Sequence, residues 1–321
     1  MTLPVIDMSG LRSEKAADRA AVGRALRDVC LDTGFFYVTG HQVPAPTRDA
    51  AMAAIREFFS LPLDEKLGAD KSRSNCHRGY ETLRGQTLEP GAPADLKEGY
   101  YIGRDLPLDD PRVRSGKFNH GPNIWPQSLP RFREHLSAYY DALLDVSRLV
   151  MRGLALSLDL DEGHFDAFTA EELATLRLLH YPKQPANPAP GEKGCGAHTD
   201  FGTITLLLQD DCGGLQVWDG EAEWIDAAPI PDTFVVNLGD MVARWTNDRY
   251  HSTLHRVINT SGRDRYSIPF FYLGNPDVPV ACLPTCLAAG ETPKYPITTI
   301  GHHYEEMYGV TYGPGGAGDD R

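Results

Sequence analysis

Three short stretches in the last third of the sequence hold side chains suited to metal and anion chemistry: His198-Thr199-Asp200, His255 and Arg265-Tyr266-Ser267. If residues 198–200 are extended, positions i and i+2 project to one face, so the imidazole and the carboxylate can reach a single ion. Alone the pair says little, because a chain with 11 histidines yields about one His-x-Asp by chance. His255 alone is equally mute, a strand histidine being more often packed or solvated than ligating. Its relation to Arg265 changes the weighing. The intervening NTSGRD (259–264) is rich in turn residues and predicts a hairpin, with His255 and Arg265 opposite each other, about 5 Å apart at Cβ. Ser267 shares a face with Arg265. A histidine buried beside an arginine and a serine makes physical sense with an anion between them. Two histidines and one carboxylate on one side of an octahedral ion form the facial triad of non-haem Fe(II) oxygenases. Such a triad leaves three positions open, two for an oxo acid and one for dioxygen. The planar fork of Arg265 suits the far carboxylate of that acid.

These residues need rigid elements behind them, and the residue pattern supplies two kinds. The first half reads mostly helical: 13–31, with Ser13 as N-cap and Gly34 beyond the end, and 47–60 after Pro46. GFFYVTG (34–40) reads as a strand, and 72–126 as long loops with short strands. Residues 128–158 place Phe132, Leu136, Tyr139, Leu143, Val146 and Val150 at helical spacing. From about 175 the runs LRLLHYP, TITLLLQ, GLQVW, EWIDA, TFVVNLG, HRVIN and RYSIPFFYL are short and punctuated by Gly, Pro, Asp and Asn, as in an antiparallel sandwich or barrel. A last helix is predicted at 298–308. The architecture is mainly β with flanking helices, a jelly-roll core with an N-terminal α/β region and a C-terminal helix. Its expected segments are 1–125, a helical support 126–170, the core 171–275, a covering segment 276–312 and a flexible tail 313–321, all one compact unit.

The chain has 321 residues and 31 Lys+Arg against 44 Asp+Glu, a net charge of −13. That excess repels phosphate backbones and anionic membranes, so neither nucleic acid nor membrane is an expected partner, and no obligatory protein partner is implied. The N-terminus lacks the basic start and apolar run of a signal peptide. The six cysteines follow no framework, and with no leader they read as reduced thiols in a cytoplasmic protein.

At this point the sequence resembles the 2-oxoglutarate/Fe(II) dioxygenases of the isopenicillin N synthase-like family. The likeness runs through LPVIDMS (3–9), DTGFFYVTGH (32–41), FFSLPLDEK (58–66), LLHYP (178–182), HTDFGTITLLLQD (198–210), GGLQVW (213–218), VVNLGDMVARWTND (235–248), YHSTLHRV (250–257) and RYSIPFF (265–271). It implies a double-stranded β-helix, with His198, Asp200 and His255 as catalytic iron ligands. It also implies Arg265 and Ser267 on the C5 carboxylate of 2-oxoglutarate, with Tyr181 adding a hydrogen bond. The implied reaction couples decarboxylation of 2-oxoglutarate to succinate and CO2 with O2-dependent hydroxylation, desaturation or cyclisation of a small-molecule substrate. His251 stands where many plant members have lysine, and Leu179 where many have asparagine.

Candidate walls for the substrate are Tyr100, Tyr101, Trp125, Phe201, Arg244 and Trp245, against plain packing for each aromatic; Arg84 and Arg104 are further cations. Three rivals stand beside this reading. One is an Fe(II) oxidase of the same fold whose Arg265 and Ser267 hold a substrate carboxylate. Another is a non-catalytic metal-binding β-barrel. The last is a zinc site using Cys195-x-x-His198 or Cys282-x-x-x-Cys286, whose mismatched spacing argues against it.

Overall fold

The computed structural model describes residues 2–184 and 190–312, so the tail predicted to be flexible, 313–321, lies outside the described residues. The chain opens with β1 (Val5–Asp7), α1 (Ala16–Asp32), β2 (Phe35–Thr39), α2 (Ala45–Phe59) and α3 (Leu63–Leu67). Then come β3 (Gly79–Glu81), β4 (Glu98–Gly103), α4 (Pro111–Arg114), the long α5 (Phe132–Ser157) and α6 (Asp166–Thr169). The later strands are β5 (Leu173–Tyr181), β6 (Cys195–His198), β7 (Ile204–Gln209), β8 (Leu215–Trp218), β9 (Trp224–Asp226) and β10 (Phe234–Leu238). After α7 (Asp240–Trp245) follow β11 (His255–Val257), β12 (Arg265–Gly274) and the closing α8 (Ile300–Tyr312).

Helix ends depart slightly from expectation. Ser13 does not cap α1; Lys15 is the N-cap, and the Ser13 hydroxyl accepts from Lys15 N–H. Pro46 falls inside the first turn of α2, where its missing N–H costs nothing. Gly34, past α1, sits at φ +64, and a Cβ there would lie 2.2 Å from the carbonyl oxygen of His251. Only glycine fits that turn. The expected stripe of α5 is buried, and Gly153 on the same helix lets Leu26 of α1 approach closely.

These twelve strands form two antiparallel-dominated sheets, and Pro279–Val280 pairs with Thr298–Thr299 in a separate two-stranded ladder. The larger has the order β1-β2-β10-β7-β12-β5-β4-β3 and the smaller β6-β11-β8-β9. Strands from the 1–125 and 171–275 segments are therefore hydrogen-bonded neighbours. The inner faces of the two sheets share a buried cluster including Phe35, Leu179, Leu207, Val217 and Val257, a jelly-roll sandwich in which α1, α2 and α5 pack outside the larger sheet. Alternation sets what points inward. Along β5 the inward row includes Arg177, Leu179 and Tyr181; along β12 it includes Arg265, Ser267, Pro269 and Phe271. Register places Arg265 against Tyr181, Ser267 against Leu179 and Phe271 against Thr175.

The expected hairpin joining His255 to Arg265 is not there. His255 belongs to the smaller sheet, opposite His198 of β6 and Val217 of β8, whereas Arg265 begins β12 in the larger sheet. Residues 258–264 cross from one sheet to the other instead of folding back. Asn259 fixes that crossing by donating to the carbonyl oxygens of Tyr181, Pro182 and Arg263. The two side chains line one interior cavity from opposite sheets instead of facing each other along a ladder. Among the described residues, no helix is long and apolar enough to cross a membrane.

Candidate functional site

His198, Asp200 and His255 bring one ligand atom each within 4.8 Å of one another. The histidines come together because their strands pair in register. Asp200 arrives differently from the strand rule: β6 ends at His198, and Asp200 lies in the turn beyond it. Its carboxylate is aimed by two donors from the larger sheet, Thr205 Oγ1 at 2.6 Å and Asn237 Nδ2 at 2.7 Å, both onto Oδ2. The turn needs close backbone approach, since a Cβ on Gly239 would fall 2.3 Å from the Gly202 oxygen and 2.9 Å from the Asp200 oxygen.

The donor set can be read atom by atom. His198 Nδ1 lies 2.8 Å from the Gly196 carbonyl oxygen and His255 Nδ1 lies 3.1 Å from that of Thr253. A carbonyl only accepts, so Nδ1 carries the proton in each ring and Nε2 presents a lone pair. The Nε2 atoms stand 3.8 and 3.7 Å from Asp200 Oδ1, beyond hydrogen-bond length. Burial keeps both imidazoles neutral: it lowers His198, and with the facing His198 it lowers His255 to about 4. Burial alone would raise the Asp200 carboxyl, but His255, His198, Asn237 and Thr205 hold it below its ordinary value. Three electron pairs thus converge with no proton between them, the donor chemistry a divalent ion of the iron or zinc type needs.

Arg265 and Ser267 line the same cavity as the triad, with Tyr181 and Leu179 beside them. Arg265 is 1% exposed, and no carboxylate lies within 4 Å of it among the described residues. Its Nε donates to the Gly213 carbonyl at 2.6 Å and its Nη1 to Ser267 Oγ at 3.1 Å, while Gln209 Oε1 is 3.4 Å from Nη2. Its guanidinium carbon sits 4.8 Å from the Tyr181 ring centre. A buried guanidinium held only by neutral groups fits a dicarboxylate co-substrate whose other end reaches the triad.

A second hollow opens on the other side of the triad, sharing His198, Asp200, Leu88, Arg177 and Phe271 with the first. Tyr101 and Phe201, expected in the substrate wall, line it. The structure does not bring the other four there. Tyr100 is sealed between Phe58 and Phe132, and its hydroxyl donates to the Ile124 carbonyl. Trp125 packs on Phe132 and donates to Asp105; Trp245 packs between Phe165 and Phe168. Arg244 stacks on Tyr295 beside a separate surface hollow. Arg84 is engaged with Glu192, and Arg104 is exposed by another hollow. Conversely, sequence reasoning missed Arg177, although the alternation that turns Tyr181 inward turns Arg177 inward too. It missed Asn237 as well, a polar residue in the apolar run VVNL, and Lys97, buried between Asp95 and Cys195. The zinc rival lacks its cluster: among the described residues the groups of three that could hold an ion are the triad and the partly exposed Asp210-Asp211-Cys212.

Residues 3–128 match the family model described as the N-terminal region of non-haem dioxygenases in morphine synthesis, and residues 173–274 match that of the 2OG-Fe(II) oxygenase superfamily. The Emericella nidulans protein "2-oxoglutarate-Fe(II) type oxidoreductase hxnY" is 46% identical over 315 residues, 97% of this chain and 90% of its own length. The Monascus ruber "2-oxoglutarate-dependent dioxygenase citB" is 45% identical over 284 residues, 86% of this chain and 85% of its own. The crystal structure of a full-length Neurospora crassa protein in complex with alpha-KG and thymine superposes with a TM-score of 0.84 at 31% identity, covering 95% of this chain and 96% of that one.

Proposed function

This chain belongs to the 2OG-Fe(II) oxygenase superfamily, and on that premise we propose that His198 Nε2, Asp200 Oδ1 and His255 Nε2 hold its iron while Arg265 and Ser267 hold the C5 carboxylate of 2-oxoglutarate. The protein is an Fe(II)- and 2-oxoglutarate-dependent oxygenase that couples decarboxylation of 2-oxoglutarate to succinate and CO2 with oxidation of a small molecule by O2. When bound, the iron supplies the oxidising chemistry that no side chain can. The side chains do the rest. The Gly196 and Thr253 carbonyls fix the two histidine tautomers, and Thr205 and Asn237 fix the carboxylate rotamer. Arg265 orients the co-substrate with Ser267 beside it and the Tyr181 ring beneath. The observation that carries the residue assignment is one cavity containing both three convergent lone pairs and a buried guanidinium without an acid.

A cytoplasmic setting belongs to the same proposal, supported by six cysteines that are all free thiols. The net charge of −13 favours a small-molecule partner over nucleic acid or membrane. The test is anaerobic reconstitution with Fe(II) and 2-oxoglutarate, reading the metal-to-ligand absorption band, then succinate release in air. His255→Ala is expected to lose the band and turnover with the fold retained. Full turnover in that variant overturns the ligand assignment.

A further inference from the structure

Thr175 is the second inward position on β5 counted back from Leu179, opposite Phe271 of β12, and it lines the hollow on the substrate side of the triad. It is 1% exposed, and its hydroxyl has no hydrogen-bond partner. A buried hydroxyl left unpaired costs about 1–3 kcal/mol, so a folded strand carries one where something else completes it. Its apolar lining includes two flat side chains, Phe201 and Phe271. The next inward residue along the strand, Arg177, is held by Glu81 and by Gln86 Oε1. A guanidinium beside the hydroxyl favours an electron-rich group over a cation at this end of the hollow.

We propose that Thr175 is a specificity-determining residue whose hydroxyl donates to a carbonyl oxygen on the edge of a small planar ring, the ring lying against Phe201 and Phe271. The inference rests on the oxygenase reading above, because it takes this hollow to be where the oxidised molecule sits. It adds the substrate class, a flat ring bearing a carbonyl, and the residue that selects it. Thr175 is well placed for this because the β-strand period sends it and Arg177 to the face that also carries Leu179 and Tyr181 of the co-substrate cavity. One strand therefore serves both molecules, the co-substrate at its C-terminal end and the substrate near its start.

The test uses the protein loaded anaerobically with Fe(II) and 2-oxoglutarate, titrated calorimetrically with acetophenone, with ethylbenzene (same ring, no carbonyl) and with cyclohexyl methyl ketone (carbonyl, no flat ring). Acetophenone is expected to bind at least about fivefold more tightly than either, the lower end of what completing a buried hydroxyl gives. Thr175→Val, equal in shape, should remove the preference over ethylbenzene, and Thr175→Ser should restore it. Phe271→Leu should remove the preference over the cyclohexyl ketone. Equal binding of acetophenone and ethylbenzene to the wild type, or an undiminished preference in a folded Thr175→Val, overturns the proposal. The absorption band recorded before each titration separates the two readings. If it fails to form, the iron and co-substrate assignment is at fault; if it forms and discrimination is absent, only the role of Thr175 falls.

Discussion

Replacing Thr205 by valine removes one hydroxyl and changes little else, since the two side chains have the same shape. Thr205 is 5% exposed, and its hydroxyl donates to Asp200 Oδ2 at 2.6 Å. A hydrogen bond to a charged group contributes about 1.5–3 kcal/mol, which would be roughly 10–150-fold in an equilibrium constant. Asn237 still donates to the same oxygen at 2.7 Å in the variant, so the carboxylate keeps half its restraint. The expected loss is therefore at the lower end, about tenfold in Fe(II) affinity, in line with what outer partners of metal ligands contribute. The assay is an anaerobic Fe(II) titration in competition with a chromogenic chelator. Melting curves of the metal-free proteins run alongside to separate affinity from folding. Removing Asn237 as well should take the loss beyond the roughly hundredfold that two independent tenfold losses would give, because each donor backs up the other on one oxygen. If Thr205→Val binds Fe(II) within twofold of wild type, the argument that these donors aim Asp200 is wrong.

Arg265→Lys keeps the charge but loses the fork that grips Gly213 and Ser267, so the 2-oxoglutarate concentration for half-maximal band formation should rise at least about tenfold; an unchanged requirement would remove Arg265 from the anion site. Glu81 is buried, which by itself would raise its carboxyl, but Arg177 and Lys71 bring it from 4.5 down to about 2. Its folded pKa is below its unfolded one, so its contribution to stability is present above pH 4.5 and lost as pH falls from 4.5 towards 2. Glu81→Gln should flatten the acid limb of the melting temperature between those values, and an identical limb would refute this. Gly34→Ala places a Cβ 2.2 Å from the His251 oxygen at φ +64, and should destabilise by at least about 2 kcal/mol in urea unfolding; a loss under about half that would show that the turn relaxes.

What the sequence discloses, and what it hides, divides along range. His198 and Asp200 are visible by type and spacing, yet the strand rule behind their convergence does not apply, because the strand ends at His198 and Asp200 is held by residues on two other strands. Turn-rich NTSGRD announces a change of direction correctly but does not say whether the chain folds back or crosses between sheets; Asn259 decides that through contacts far along the chain. Aromatic type carries no depth information, so Tyr100, Trp125 and Trp245 in the expected wall pack elsewhere while Tyr101 and Phe201 line the hollow. Period-two alternation is the stronger guide: applied from Tyr181 back through β5, it turns Arg177 and Thr175 to the interior without reference to any structure.

The crossing of residues 258–264 has a mechanical consequence. It leaves the paired imidazoles in one layer of the sandwich and the guanidinium in the other, joined there by covalent chain only through a loop. On the proposed assignment, a metal chelate anchored at both ends would act as a rivet through the two layers. Loading should therefore tighten the whole domain, by about 2.7 kcal/mol at a hundred times the dissociation constant, and slow hydrogen exchange most along β6, β11 and β12.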